Sequence, residues 1–364
     1  MKIFSLPSHA TRTRTSGVDY ARIISPMKNL NGYKGIETFV YDPKVEELHN
    51  NVLEWEPLAK KYDVFYFNYI HNPWGYAVMG MLARKYGVKL ILDMDDSLWD
   101  LHDDNPAHSV WKKGGAAIGN FTSICNDVDY ITCTNEYLKH LIMSKTNKKS
   151  HQIKVIPNYI DLKVYKHRTK FKDDGQIMLT HFGSSTHWLD LGEKEFFKGV
   201  DRIMREYPNV KFRTIGAWIP KFRQKWGSRF DLKYGDQDLY KWVNEKFPSY
   251  MDDTDILLTP LVEDVYNKCK SSIKWLEASS AKIPGVWSDI RQYSEVIDGT
   301  NGLLATTGGD WYRGIKSLID DKEKRRKMGE KAYLDVKNNW EITDHLEEYK
   351  ALFEEAIDNG KKRV

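Results

Sequence analysis

The apolar positions of the chain follow two periods in alternation. Short apolar runs read as buried strands, and the stretches between them, with apolar residues three or four apart, read as helices. In the first half Lys2–Leu6 is a strand and Pro7–Gly17 a polar, basic loop. Val18–Leu30 follows as a helix, interrupted or ended near Pro26, whose ring removes a donor and crowds the preceding turn. Gly35–Tyr41 is a strand, Asn51–Lys61 a helix, and Val64–Tyr69 (VFYFNY) a buried strand leading to the loop His71–Gly75. Tyr76–Tyr86 is helical and Lys89–Leu92 extended. Asp129–Thr134 and Ile153–Ile156 are strands around the helix Glu136–Ser144.

Pro157–Asp161 breaks the pattern, and the charged segment Lys163–Gly175 reads as a linker. The alternation then restarts. Its strands are Ile177–Phe182, Val210–Ile215, Thr254–Thr259, Pro284–Trp287 and Gly302–Ala305. Its helices are Glu193–Tyr207, Leu239–Phe247, Trp311–Asp320, Lys322–Asn338 and Asp344–Asn359. Strand–helix alternation argues for an α/β chain with parallel sheets covered on both faces. Two such halves predict two Rossmann-like domains, residues 1–160 and 161–340, facing a cleft, with 341–364 as a closing helix. Ligands of such sheets sit beyond the carboxyl ends of the strands.

A length of 364 residues allows two domains with sizeable cores. The net charge of +4 is compatible with phosphate ligands without demanding nucleic acid. Cys125, Cys133 and Cys269 have no metal spacing and an odd count, which points to a reducing compartment and no disulfide framework. The opening residues MKIFSLPSHA lack the apolar region of a signal peptide, and no apolar run reaches membrane-span length. A cytoplasmic protein is therefore expected, with no bound metal.

Three stretches carry candidate chemistry. In NKCKSSIKWLEASSAKIP (Asn267–Pro284) a loop feeds a helix with Ser271 or Ser272 as N-cap. Helical spacing puts Lys270, Lys274 and Glu277 on one face and Ile273 and Leu276 on a buried neighbouring face. Two lysines at i and i+4 repel unless an anion joins them, and a helix N-terminus favours a phosphate. The face is either a phosphate cradle or a solvated stripe. In LILDMDDSLWDL (Leu90–Leu101) the acids Asp93, Asp95 and Asp96 close a strand. They can act as base, metal ligand or sugar-hydroxyl acceptor, or merely form a capped turn. In HFGSSTHWLDL (His181–Leu191) Gly183 permits a tight turn, while Ser184, Ser185, Thr186 and His187 offer donors to a phosphate. The P-loop spacing is absent. His71 could reach the cleft, and Arg12 and Arg14 could meet an anionic substrate or simply be solvated.

Together these motifs resemble the GT-B glycosyltransferases with a family 4-type C-terminal domain. The resemblance is carried by KSSIKWLEASSAKIPGVWSDIRQYSEVIDGTNGLLA, DKEKRRKMGEKA, NNWE, TDILLTPL and VIPNYID. It is strong from about Leu90 onward; before that only a strand, a loop with Gly17 and a helix with Arg22 match. The resemblance implies retaining transfer from a nucleoside-diphosphate sugar, a UDP-sugar first and a GDP-sugar next, with no cofactor required. It assigns Gly183, Ser184, Ser185, His187, Lys270, Ser271 and Lys274 to the diphosphate and Glu277 to the ribose. Asp95, Asp96 and His71 become the catalytic candidates, and Gly17, Arg12, Arg14 and Arg22 the acceptor side. One departure stands out. Cys269 occupies the place of the first glutamate of the Glu-x7-Glu motif, leaving Glu263 and Asp264 as the nearest acids.

The acceptor is a glycan or another biomolecule. The basic segment Lys221–Lys233 and the Arg12/Arg14 loop keep DNA with a hydroxymethylated base open. Cys269 motivates a different alternative, a non-catalytic sugar-nucleotide-binding protein on the same scaffold.

Overall fold

The computed structural model describes residues 1–7, 16–43, 48, 51–69, 73–166, 168, 174–217, 219–234 and 246–361. They form two parallel six-stranded sheets with helices packed against both faces. The first sheet comprises β1 (Lys2–Leu6), β2 (Glu37–Val40), β3 (Val64–Asn68), β4 (Lys89–Met94), β5 (Tyr130–Cys133) and β6 (Ile153–Val155), in the order β2-β1-β3-β4-β5-β6. The second comprises β7 (Ile177–Phe182), β8 (Val210–Ile215), β9 (Phe230–Lys233), β10 (Ile256–Thr259), β11 (Gly285–Ser288) and β12 (Leu303–Ala305), in the order β12-β11-β10-β7-β8-β9. Strand order reverses at β1/β3 in the first sheet and at β7/β10 in the second. These are the points where open α/β sheets leave a crevice for ligands.

The strands are apolar on both faces because helices cover both. In the first sheet Phe4, Phe65, Phe67, Leu90 and Leu92 fill one side. Ile3, Val64, Tyr66, Ile91 and Tyr130 fill the other, as a period of two requires. The second side is completed by the last helix, Leu346–Lys361, which lays Tyr349, Leu352, Phe353 and Ala356 on the first sheet. The chain returns there through a short parallel pairing: Ile160 N–H donates to Trp340 O at 2.9 Å, and Ile342 N–H to Ile160 O at 3.0 Å.

Several elements depart from the expected pattern. Pro26 does not end its helix. A π-helical turn, Asp19–Ile24, precedes it, and Pro26 falls in the first turn of the α-helical part, Ser25–Leu30, where a missing N–H is tolerated. The helix Ala116–Asp127 was not expected, because Gly119, Thr122, Ser123 and Asn126 dilute the apolar triplet Phe121, Ile124 and Cys125. Lys221–Lys233 is no basic strip either. It holds the helix Pro220–Trp226 and β9, with Phe222, Trp226 and Phe230 buried. Lys225 pairs with Asp201 at 3.1 Å, and Lys221 lies 4.4 Å from the Phe197 ring centre. Most of the helix expected at Leu239–Phe247 lies outside the described residues; Phe247–Asp252 is helical.

Candidate active site

The loops leaving the carboxyl ends of β4, β5 and β6 meet those leaving β7 and β10, and nearly all the candidate chemistry collects there. Asn135 Nδ2, just past β5, donates to Cys269 O at 2.8 Å and Lys270 O at 3.1 Å. Asn158 Nδ2, beyond β6, donates to Ser271 Oγ at 2.7 Å. The stretch singled out in the sequence is thus held from both halves of the molecule.

Its local geometry corrects one expectation. The helix begins only at Ile273 and runs to Ser280, with Ser272 as an N-cap that makes no side-chain cap bond. Lys270 precedes it in extended conformation, so helical spacing does not place it beside Lys274. Tertiary contacts do so instead. Leu276 is fully buried as expected, and Ile273 is partly buried.

The two lysines have opposite situations. Lys270 Nζ pairs with Asp96 Oδ2 at 2.9 Å across the two halves and lies 4.2 Å from the Tyr266 ring centre. Burial works against its charge, but Asp96 and Tyr266 outweigh it and hold the ammonium well above its ordinary value. Lys274 has no such partner. Among the described residues its ammonium meets only the Phe182 ring, at 5.3 Å, and makes no hydrogen bond or ion pair. Burial, opposed by Glu277, Asp190 and Asp96 and reinforced by Lys270, pushes it down to about 8. One turn on, Glu277 accepts, among the described residues, one hydrogen bond, from Tyr165 at 3.3 Å, and burial pushes it up to about 7 against the pull of Lys274.

The loop after β7 lies alongside. A Cβ on Gly183 would come 2.7 Å from His187 Cδ2 and 3.0 Å from His181 Nε2. Gly216 adopts φ +89°, and a Cβ there would strike Gly183 O at 2.4 Å. Both glycines are needed for this close approach of backbone. Ser184 and Thr186 share a hydrogen bond of 2.7 Å between their hydroxyls. Ser185 opens the short turn Ser185–His187. His187 Nδ1 faces Asp190 Oδ2 at 2.8 Å, and burial, then Lys274 and Lys270, keep its imidazole well below the usual value.

The three acids after β4 divide. Asp93 is not a cleft group: it is fully buried in a two-pronged pair with Arg22, at 3.0 and 2.8 Å. Arg22 also donates to Ile156 O at 2.8 Å and Asn158 Oδ1 at 2.9 Å. Its guanidinium is therefore enclosed within the first half rather than facing an acceptor, contrary to expectation. Asp95 is pushed up to about 7, first by burial and then by Asp96, with Tyr69 and Lys270 opposing. Tyr69, which the sequence did not mark, organises this turn. Its hydroxyl donates to Asp95 and accepts from the Asp95 and Asp96 N–H groups, each at 2.8 Å. It does so from φ +36°, a left-handed conformation that a bulky side chain holds only when its surroundings insist.

Cys269 lies in the core of the first half, fully buried among residues that include Leu138. Of the nearby acids, Glu263 has a side chain 68% exposed and pairs with Lys268. Asp264 instead borders a cavity of about 110 Å³, together with His102, Asn105, Thr186, Asp190 and Tyr266. A larger cavity of about 450 Å³ lies away from this cleft, by Lys89, Asp129, His151 and Asn359. Gly17 is exposed at the start of its helix, and a Cβ there would meet nothing. Arg12, Arg14 and His71 lie outside the described residues. Among those described, no group of three His, Cys, Asp or Glu side chains could hold a metal ion, and no helix is long and apolar enough to cross a membrane.

With this geometry in hand, comparison with known proteins is decisive for the architecture. Residues 179–321 match the family model described as Glycosyl transferases group 1. Sucrose-phosphate synthase from Thermosynechococcus elongatus superposes over 97% of this chain and 99% of its own, with a TM-score of 0.68 at 14% identity. HepE from Anabaena, solved in complex with UDP and glucose, gives 97%, 99%, 0.65 and 14%. A glycosyltransferase from Rickettsia africae gives 98%, 99%, 0.63 and 11%. The chain has the GT-B fold. The stretch that matches the group 1 model contributes the β7 loop, Lys270, Lys274 and Glu277. No curated protein sequence matches the chain.

Sequence reasoning missed Tyr69, Asp190, His102 and Asn135. Asp190 alone had a signal, three residues beyond His187 in the same motif. Tyr69 and Asn135 act through contacts between distant segments, and His102 lines the cavity beside Asp190.

Proposed function

We propose that the protein is a glycosyltransferase that moves a sugar from a nucleoside-diphosphate sugar to an acceptor hydroxyl. The observation that carries this reading is Lys274, a desolvated cation with no protein partner, set beside His187 and the glycine-lined β7 loop. A buried ammonium whose nearby acids, Glu277 and Asp190, make no direct ion pair with it is costly, so it fits a site completed by an anion. Lys274 and Lys270 would bind the diphosphate and stabilise the charge that grows on it as the glycosidic bond breaks. Lys270 would exchange Asp96 for a phosphate oxygen. Glu277, with one carboxylate oxygen bonded only to Tyr165, would accept from the ribose hydroxyls.

The UDP complexes of HepE favour UDP as the nucleotide. Asp95, poised near neutrality at the seam, would accept a hydrogen bond or a proton from the incoming hydroxyl. Asp264 is the acid placed to meet the donor sugar, since Glu263 points to solvent and Cys269 into the core. Retention of anomeric configuration and independence from metal follow the family pattern and belong to this proposal.

The test is donor turnover. Incubation with UDP-, GDP- and ADP-sugars should release nucleotide slowly, and Lys274→Ala and Glu277→Ala should abolish release. Tight nucleotide binding with no release, on any acceptor offered, would instead identify a sugar-nucleotide-binding protein.

A further inference from the structure

We propose that Asp190 is a positioning residue and that His187, held by it, takes up one proton at Nε2 when a nucleoside diphosphate enters. An imidazolium then bridges Asp190 and a phosphate oxygen. This rests on the donor reading above and goes beyond it in naming a residue and a protonation step.

Asp190 is 3% exposed, and three segments converge on it. Its Oδ1 accepts from Val262 N–H at 2.9 Å and from Asn267 Nδ2 at 2.9 Å. Its Oδ2 lies 2.8 Å from His187 Nδ1. Two donors on Oδ1 favour the carboxylate form, although burial raises its proton affinity. A carboxylate on Oδ2 then requires the proton of neutral His187 on Nδ1, which leaves Nε2 bare. Among the described residues Nε2 makes no hydrogen bond.

The charged and titratable groups around this imidazole explain the bare state. Lys274 and Lys270 face it from the segment after β10, and His181 meets it from β7 with ring centres 5.8 Å apart. Against these, among the described residues, Asp190 is the carboxylate in direct contact with the ring, with Asp264 and Glu277 farther off. His181 is committed elsewhere, because its Nδ1 bonds Leu258 O at 2.9 Å. A diphosphate reverses the balance by adding negative charge beside both lysines. One proton moves from solvent to Nε2, giving a charge-assisted hydrogen bond to phosphate, and returns to solvent when the nucleotide leaves. Asp190 also binds the β7 loop to the β10 loop through Val262 and Asn267, so one carboxylate sets both walls of the phosphate site.

The test is calorimetric titration of UDP at pH 7 in buffers of different ionisation enthalpy. His187→Gln should take up about one proton fewer per UDP than the wild type. Asp190→Asn keeps the pattern of bonds, since Asn Oδ1 still accepts from Val262 and Asn267 while Nδ2 donates to His187 Nδ1. That variant should still bind UDP, with Nε2 now carrying the proton and the uptake lost. Imidazole ¹⁵N spectra of the free proteins should show Nδ1–H in the wild type and Nε2–H in Asp190→Asn. Equal proton counts in wild type and His187→Gln, or Nε2–H in the wild type, overturn the proposal. If Asp190→Asn does not fold, wild type against His187→Gln still decides. Failure of the wild type to bind UDP, GDP or ADP overturns the donor reading and the proton uptake together. Binding without uptake overturns the uptake alone.

Discussion

Replacing Lys274 by Met should move stability and affinity in opposite directions. Met keeps the unbranched stem over Phe182 and removes only the charge. In the free protein, burial lowers the ammonium from 10.5 to about 8. At 1.36 kcal/mol per pH unit, keeping it charged at neutral pH costs the fold on the order of 3 kcal/mol, an upper figure because part of the chain reaches solvent. Lys274→Met should therefore raise the melting temperature of the free protein by a few degrees. It should also weaken UDP by roughly 10- to 100-fold, the loss of one charge-assisted contact of about 1.5–3 kcal/mol. The pH dependence has a fixed sign. Between pH 8 and 10.5 the unfolded chain holds this proton more often than the folded one, so wild-type stability gains from this group as pH rises. UDP needs the charged form, so wild-type affinity should fall as pH rises through about 8, and Lys274→Met should lack that fall. Thermal melts with and without UDP and calorimetric titration from pH 6 to 9 measure all of this. A variant that melts lower, or binds UDP as well as the wild type, would refute the reasoning.

Three other substitutions probe the surrounding frame. Glu277 titrates near 7 in the fold, and an ionised carboxylate is the better ribose acceptor, so wild-type UDP affinity should climb as pH rises through about 7. Glu277→Gln should flatten that limb and lose about 10-fold at pH 8, read by the same titrations. Cys269→Glu should not restore a donor-sugar contact; it should destabilise by about 3 kcal/mol or more in urea unfolding, because the side chain enters the apolar core of the first half. Improved turnover in Cys269→Glu would contradict the packing described. Arg22→Met leaves Asp93 charged and buried without its partner, and should cost about 3–5 kcal/mol by the same measurement. A loss under about 1 kcal/mol would mean the pair is not the brace it resembles.

Most of the architecture could be read from the chain because it depends on local pattern. Runs such as VFYFN and KLILDM are apolar on both faces, which only a doubly covered parallel sheet explains. The elements that escaped, Ala116–Asp127 and Pro220–Phe230, are those whose buried residues are outnumbered by polar or basic neighbours. Among the candidate site residues, Gly183, His187, Lys274 and Glu277 could be singled out because they stand close together in motifs. Asp93 and Arg22 were misread because 71 positions separate them, and only the fold pairs them.

The amino-acid sequence by itself determined two α/β halves and a cationic stretch leading into the helix that carries Glu277. Tertiary structure decided which charges are already spent. Lys270 and Lys274 look alike in KSSIK, yet one is ion-paired with Asp96 from the other half and the other makes no ion pair among the described residues. Helical spacing could not make that distinction, because Lys270 precedes the helix and its partner lies 174 residues away. The chemistry of this site depends on the cation left unpaired, and pairing between distant segments is a property of the folded chain alone.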